Sequence, residues 1–97
     1  MSWIYSKNDK EWSREVLNKY CGQCALCGSS FCVGAHHVFS RRFKSTRLVI
    51  QNGVALCNKH HRWIERLDRA NREKISKGII GEMTYTELKA LSKELLE

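Results

Sequence analysis

The sequence predicts a small α+β domain, a ββα core stapled by zinc and flanked by an N-terminal and a C-terminal helix. Three observations predict it. Two metal-ligand pairs with two-residue spacing, Cys24-Ala25-Leu26-Cys27 and Cys57-Asn58-Lys59-His60, lie thirty positions apart. Two short β-branched runs separate them, and apolar residues recur at helical spacing before and after. With 97 residues the chain makes a single domain, residues 1–97, its core about 21–72 and its flanking helices about 9–20 and 84–97. So short a chain buries a modest share of its surface, and such scaffolds often add a disulfide or a metal. Five cysteines, an odd number, exclude full internal pairing.

Asn8-Asp9-Lys10-Glu11 has the form of a capping box, and Trp12, Val16, Leu17 and Tyr20 follow at helical spacing, predicting a helix over 9–20. Residues 21–35 are rich in Gly and Cys and suit a metal knuckle. Val33 to Phe39 and Leu48-Val49-Ile50 read as two antiparallel strands, with the basic stretch Ser40 to Arg47 a loop between them. From Asn58 to about Lys74 the pattern of Trp63, Ile64, Leu67 and Ala70 predicts a second helix, broken by Gly78 and Gly81. Thr84-Tyr85-Thr86-Glu87 fits a capping box opening a last helix through Leu88, Leu91, Leu95 and Leu96. All these apolar stripes, Trp63 included, read as ordinary core.

The net charge of +7 is unevenly spread: +1 over residues 1–35, +8 over 36–77 and −2 over 78–97. A basic middle segment is the electrostatic footprint of a polyanion, so the expected partner is nucleic acid. The chain opens Met1-Ser2-Trp3-Ile4-Tyr5 and runs into Lys7, Asn8, Asp9 and Lys10, without the apolar centre of a signal peptide. No apolar run nears the ~18 residues of a membrane span. The expected location is the cytoplasm, where cysteines stay reduced and serve as metal ligands.

The two pairs supply the closed tetrahedral set of a structural Zn²⁺, with Cys24, Cys27, Cys57 and His60 as ligands. Cys21-Gly22-Gln23-Cys24 has the same spacing and Cys32 is a further candidate. Gly28 directly after Cys27 favours the Cys24–Cys27 pair, which leaves Cys21 and Cys32 as small buried apolar residues. His60 and His61 both lie within reach of Cys57. Consecutive helical residues diverge by ~100°, so one can face the zinc and the other a second site.

Between the zinc halves lies the tandem pair His36-His37. Adjacent strand residues point to opposite faces, so the two should have different roles. Asn52 follows, then His61, and Glu65 one helical turn further on. This order and spacing, with Asn52-Gly53-Val54-Ala55-Leu56-Cys57 leading into the second zinc pair, resembles the HNH, or ββα-metal (His-Me finger), endonucleases in their zinc-stapled subgroup. The resemblance spans roughly residues 21–66. Two positions depart from the pattern: Glu65 stands where His is common, and His60 where a fourth Cys is usual.

The resemblance implies a metal-dependent endonuclease hydrolysing phosphodiester bonds, with DNA the expected substrate and a 5′-phosphate and a 3′-hydroxyl as products. His36 and His61 would hold the catalytic divalent metal (Mg²⁺, Mn²⁺, Ni²⁺ or Zn²⁺), with Glu65 a third ligand or else a surface carboxylate paired with Arg62 or Arg69. His37 would be the general base, since an imidazole with a pKa near ~6.5 accepts a proton at neutral pH. Asn52 would hold the loop or orient that base. Arg41, Arg42, Lys44 and Arg47, with Arg62 on the helix, are the expected contacts to the phosphate backbone, and Arg66, Arg69 and Arg72 extend the basic face. A monomer would nick one strand and a homodimer could make paired cuts; the compact basic build suits a phage-encoded enzyme in a bacterial host. The alternative is a zinc-finger module that binds nucleic acid without cutting it, in which the tandem histidine has no task.

Overall fold

A computed structural model describes residues 3–94 as an α+β arrangement of five helices around a two-stranded antiparallel sheet. Helix α1 (Asp9–Lys19) begins where the Asn8 side chain accepts a hydrogen bond from the Glu11 backbone N–H. It ends in a Schellman turn: Cys21 takes a left-handed φ of 56°, and the Gly22 N–H donates to the Leu17 carbonyl at 2.8 Å.

Strand β1 (Val33–His37) pairs with β2 (Gly53–Cys57) in a register that sets Val33 against Cys57, His36 against Val54 and His37 against Gly53. The second strand therefore lies later than the expected 48–50. Val49 instead bridges Tyr5, and Ile50–Asn52 turn as a 3₁₀ helix into β2. Every residue of β2 is buried, because α1 covers one face and the following helices the other. The continuous run Val54-Ala55-Leu56 is thus the buried strand, while Leu48-Val49-Ile50 before it serves as a corner.

The expected loop at 40–47 contains one helical turn, α2 (Lys44–Arg47), and β1 stops at His37 rather than Phe39. The helix expected over 58–74 is two helices, α3 (Asn58–Arg66) and α4 (Arg69–Ile80). Leu67 is extended at ψ 151°, and the Asp68 side chain caps α4 by accepting from the Asn71 N–H at 2.8 Å. Gly78 lies inside α4, and Gly81, at φ 92°, ends it. Helix α5 (Glu82–Glu94) then starts two residues ahead of the expected capping box; Leu95 and Leu96 lie outside the described residues.

Two apolar clusters meet at the sheet. Trp12, Val16 and Ile50 pack on the α1 side, and Cys24, Val54, Leu56, Cys57 and Ile64 on the α3 side. Gly53 is where α1 comes closest: a Cβ there would sit 2.3 Å from Val16 Cγ2 and 2.8 Å from Trp12 Cζ2. The Trp12 indole N–H donates to the Val49 carbonyl at 2.8 Å, tying the same helix to the corner. Trp63 and Ala70, expected in the core, are exposed: the turn of α3 gives the sheet Ile64 instead of Trp63, and Ala70 falls in the first turn of the separate helix α4. No described helix is long and apolar enough to cross a membrane.

Candidate functional site

Cys24, Cys27, Cys57 and His60 converge, with all four ligand atoms within 4.8 Å of one another. Cys27 and Cys57 sulfurs are 3.8 Å apart, and His60 Nδ1 lies 3.2 Å from Cys57 Sγ and 3.6 Å from Cys24 Sγ. Bonds of ~2.3 Å to sulfur and ~2.0–2.1 Å to nitrogen give a tetrahedral zinc site edges of roughly 3.5–3.8 Å, so the donor set fits in chemistry and in size. Gly28, at φ 77°, lets the knuckle turn back so that its N–H meets the Cys24 carbonyl at 2.9 Å. The Leu26 N–H points at Cys24 Sγ from 3.4 Å. Burial pushes the Cys24 thiol up, but backbone amides around the sulfur outweigh it and bring it down to about 6. A sulfur so placed is readily a thiolate, the form that binds metal.

Cys21 and Cys32 stand outside this group and, contrary to expectation, are exposed. Both adopt left-handed φ, 56° and 52°, at chain reversals. Cys21 terminates α1, and the Cys32 carbonyl accepts from the Asn58 N–H at 2.9 Å, joining the start of β1 to the start of α3.

The tandem histidines go to opposite faces of β1. On the α3 side His36 meets His61, ring centroids 5.1 Å apart and edge to face. Burial, reinforced by the positive potential of His61, His37 and Arg72, lowers the His36 pKa to about 4, so the ring is neutral and a competent ligand at ordinary pH. His61 Nε2 lies 3.3 Å from Glu65 Oε1, one turn along α3. The carboxylate thus faces His61 rather than Arg62 or Arg69. His36, His61 and Glu65 are more open than the cysteine site: among the described residues only the Cys₃His set brings three or more such ligands within 4.8 Å.

On the α1 side His37 stacks on Trp12, centroids 3.7 Å apart and planes within 7°. Its Nε2 is 2.9 Å from the Arg47 carbonyl. A carbonyl only accepts, so Nε2 carries the hydrogen and Nδ1 is the basic nitrogen of the neutral ring. Burial lowers the His37 pKa below its usual value, and Arg41 adds to the effect.

Asn52 is fully buried and spans the loop between the strands. Its Oδ1 accepts from the Phe39 N–H at 2.8 Å, and its Nδ2 donates to the Phe39 and Thr46 carbonyls at 3.0 and 3.1 Å. Arg47 is held in a bidentate pair with Asp9, whose Oδ2 also lies 3.5 Å from Arg41. Asp9 thereby ties α1 to the loop, an interaction that sequence spacing does not reveal. Arg42 covers the Phe43 ring, while Lys44 and Arg62 are exposed. Compared with protein-family models, curated proteins and solved structures, the chain matches none.

Proposed function

We propose that the chain is a metal-dependent HNH endonuclease with a zinc-stapled ββα-metal fold, hydrolysing phosphodiester bonds of DNA. The observation that carries the reading is the division of labour at the end of β1: His36 turns to His61 on helix α3, and His37 is oriented through Nε2 with Nδ1 left basic. Two imidazoles from a strand and the facing helix are a fitting start for a divalent-metal site, with water completing the shell and Glu65, exposed and beside His61, able to join it. A cation held there would neutralise charge on the scissile phosphate and orient the leaving oxygen.

The remaining work falls to the protein. His37 Nδ1 takes a proton from the attacking water as its oxygen bonds to phosphorus; the P–O3′ bond breaks and the 3′-oxygen leaves with a proton from solvent. Trp12 and the Arg47 carbonyl fix the plane and tautomer of that base. Asn52, bonded three times to loop backbone, positions the segment that supplies the Arg47 carbonyl. The basic segment of residues 36–77 supplies phosphate contacts.

The test is nicking of supercoiled plasmid by zinc-loaded protein with added Mg²⁺ or Mn²⁺. Wild type should nick and His37→Ala should not, with both proteins folded and equally zinc-loaded. Salt-dependent DNA binding without cleavage by wild type would support instead a zinc-finger module, a reading favoured by the Cys₃His set being the tighter ligand group.

A further inference from the structure

Helices α4 and α5 lie outside the segment that resembles the nuclease family, yet with the loop after β1 they enclose a cleft of about 470 Å³. Arg42, Arg69, Arg72, Lys89 and Lys93 line it against a single carboxylate, Glu73. That carboxylate is already engaged, 3.8 Å from Lys77 and 3.8 Å from Lys89. Phe39 and Tyr85, with rings 4.8 Å apart, form an apolar wall, and Phe43 lies beneath Arg42. Among the described residues, Arg69 and Lys93 are exposed and make no ion pair, which leaves surplus positive charge in the cleft.

The cleft also adjoins the histidine site. Its wall begins at Val38, directly after His37. We infer that this cleft receives backbone phosphates of the nucleic-acid strand beside the point of reaction, so that α5, acidic in net charge over residues 78–97, turns its two lysines to the substrate. The inference deepens the nuclease reading, resting on it for the identity of the strand, but its test reads binding alone. An electrostatic site of this kind selects for a phosphodiester chain and gives little sequence preference.

The experiment is fluorescence anisotropy of a short labelled DNA duplex with zinc-loaded protein, without added Mg²⁺ or Mn²⁺, over a salt series. Arg69→Gln/Lys93→Gln is compared with Lys7→Gln/Lys10→Gln, which removes equal charge from exposed positions outside the cleft. The cleft variant should bind about tenfold more weakly, and its log–log salt slope should fall by roughly two, about 0.9 for each phosphate no longer neutralised. The control should change little. Equal weakening in both variants would overturn the inference in favour of diffuse surface charge, as would an unchanged slope in the cleft variant. Polyglutamate displacing the duplex at matched charge would assign the cleft to an acidic polypeptide and also overturn it. Because no cleavage is read, loss of the nuclease reading would leave these outcomes distinct.

Discussion

Asn52 illustrates how much can rest on one side chain. It is fully buried, offers the loop both a donor and an acceptor, and makes three bonds there. Asn52→Ala leaves the Phe39 N–H and carbonyl without this partner and strips the Thr46 carbonyl of one bond, though the Val49 N–H still reaches it, which should cost about 2–4 kcal/mol in denaturant unfolding. Asn52→Asp keeps the acceptor but sets a carboxylate against two carbonyls, so it should not rescue. His37 makes a different prediction. Its pKa is lowered first by burial and further by Arg41, so the ring stays neutral to below its usual value near 6.5. On the proposed function, the acid limb of kcat/KM should therefore fall below pH 6.5, since a nuclease with His37 as base needs it unprotonated and loses activity as pH drops through its pKa. Arg41→Gln removes a repelling charge and should move that limb upward; a limb unmoved by it would argue that another group titrates. Residue types and spacing made Asn52 and the tandem histidines legible in the sequence. The pairing of Arg47, expected as a phosphate contact, was not: its partner Asp9 stands 38 positions away, and no local pattern announces a bidentate pair across that distance.

At the scale of elements, the strand order was legible and the second strand's position was not. Leu48-Val49-Ile50 has the stronger β-branched signature, but Val54-Ala55-Leu56 is buried on both faces, and a doubly buried strand shows no alternation to read. The break between α3 and α4 carried a signal in Leu67-Asp68, an N-cap residue within an otherwise continuous apolar periodicity, which the periodicity concealed. The approach of α1 to β2 rests on Gly53, where a Cβ would lie 2.3 Å from Val16 and 2.8 Å from Trp12. Gly53→Ala should thus destabilise by about 1–3 kcal/mol through overpacking, measured by thermal or denaturant unfolding. Adding Val16→Ala removes the nearer obstruction and should recover part of that loss, less than fully because Trp12 remains. A fully additive double variant would mean that the helix simply moves away.

For the molecule as a whole, the question is what joins the knuckle to the rest. The half-sites were legible because each is local, whereas the choice among cysteines depended on how the backbone turns: Cys21 ends α1 in a left-handed conformation and is exposed. Between the knuckle and the sheet the backbone offers the Ala25 N–H to the Ala55 carbonyl at 2.8 Å, and beyond the buried Cys24 little apolar area, since Leu26 and Cys27 are exposed. A zinc bound by Cys24, Cys27, Cys57 and His60 would therefore couple two segments that otherwise meet weakly, and its affinity would become folding free energy. Chelation should lower Tm and weaken the near-UV signal of buried Trp12, with both restored by added zinc. The adjacent histidines divide this dependence. His60 Nδ1 faces the sulfurs and His61 faces His36, so His60→Ala should lose zinc and Tm together, while His61→Ala should keep both and lose only cleavage. Zinc content by elemental analysis decides the matter: a His61→Ala protein without zinc would mean that the staple and the reaction share a residue, and that the two sites are one.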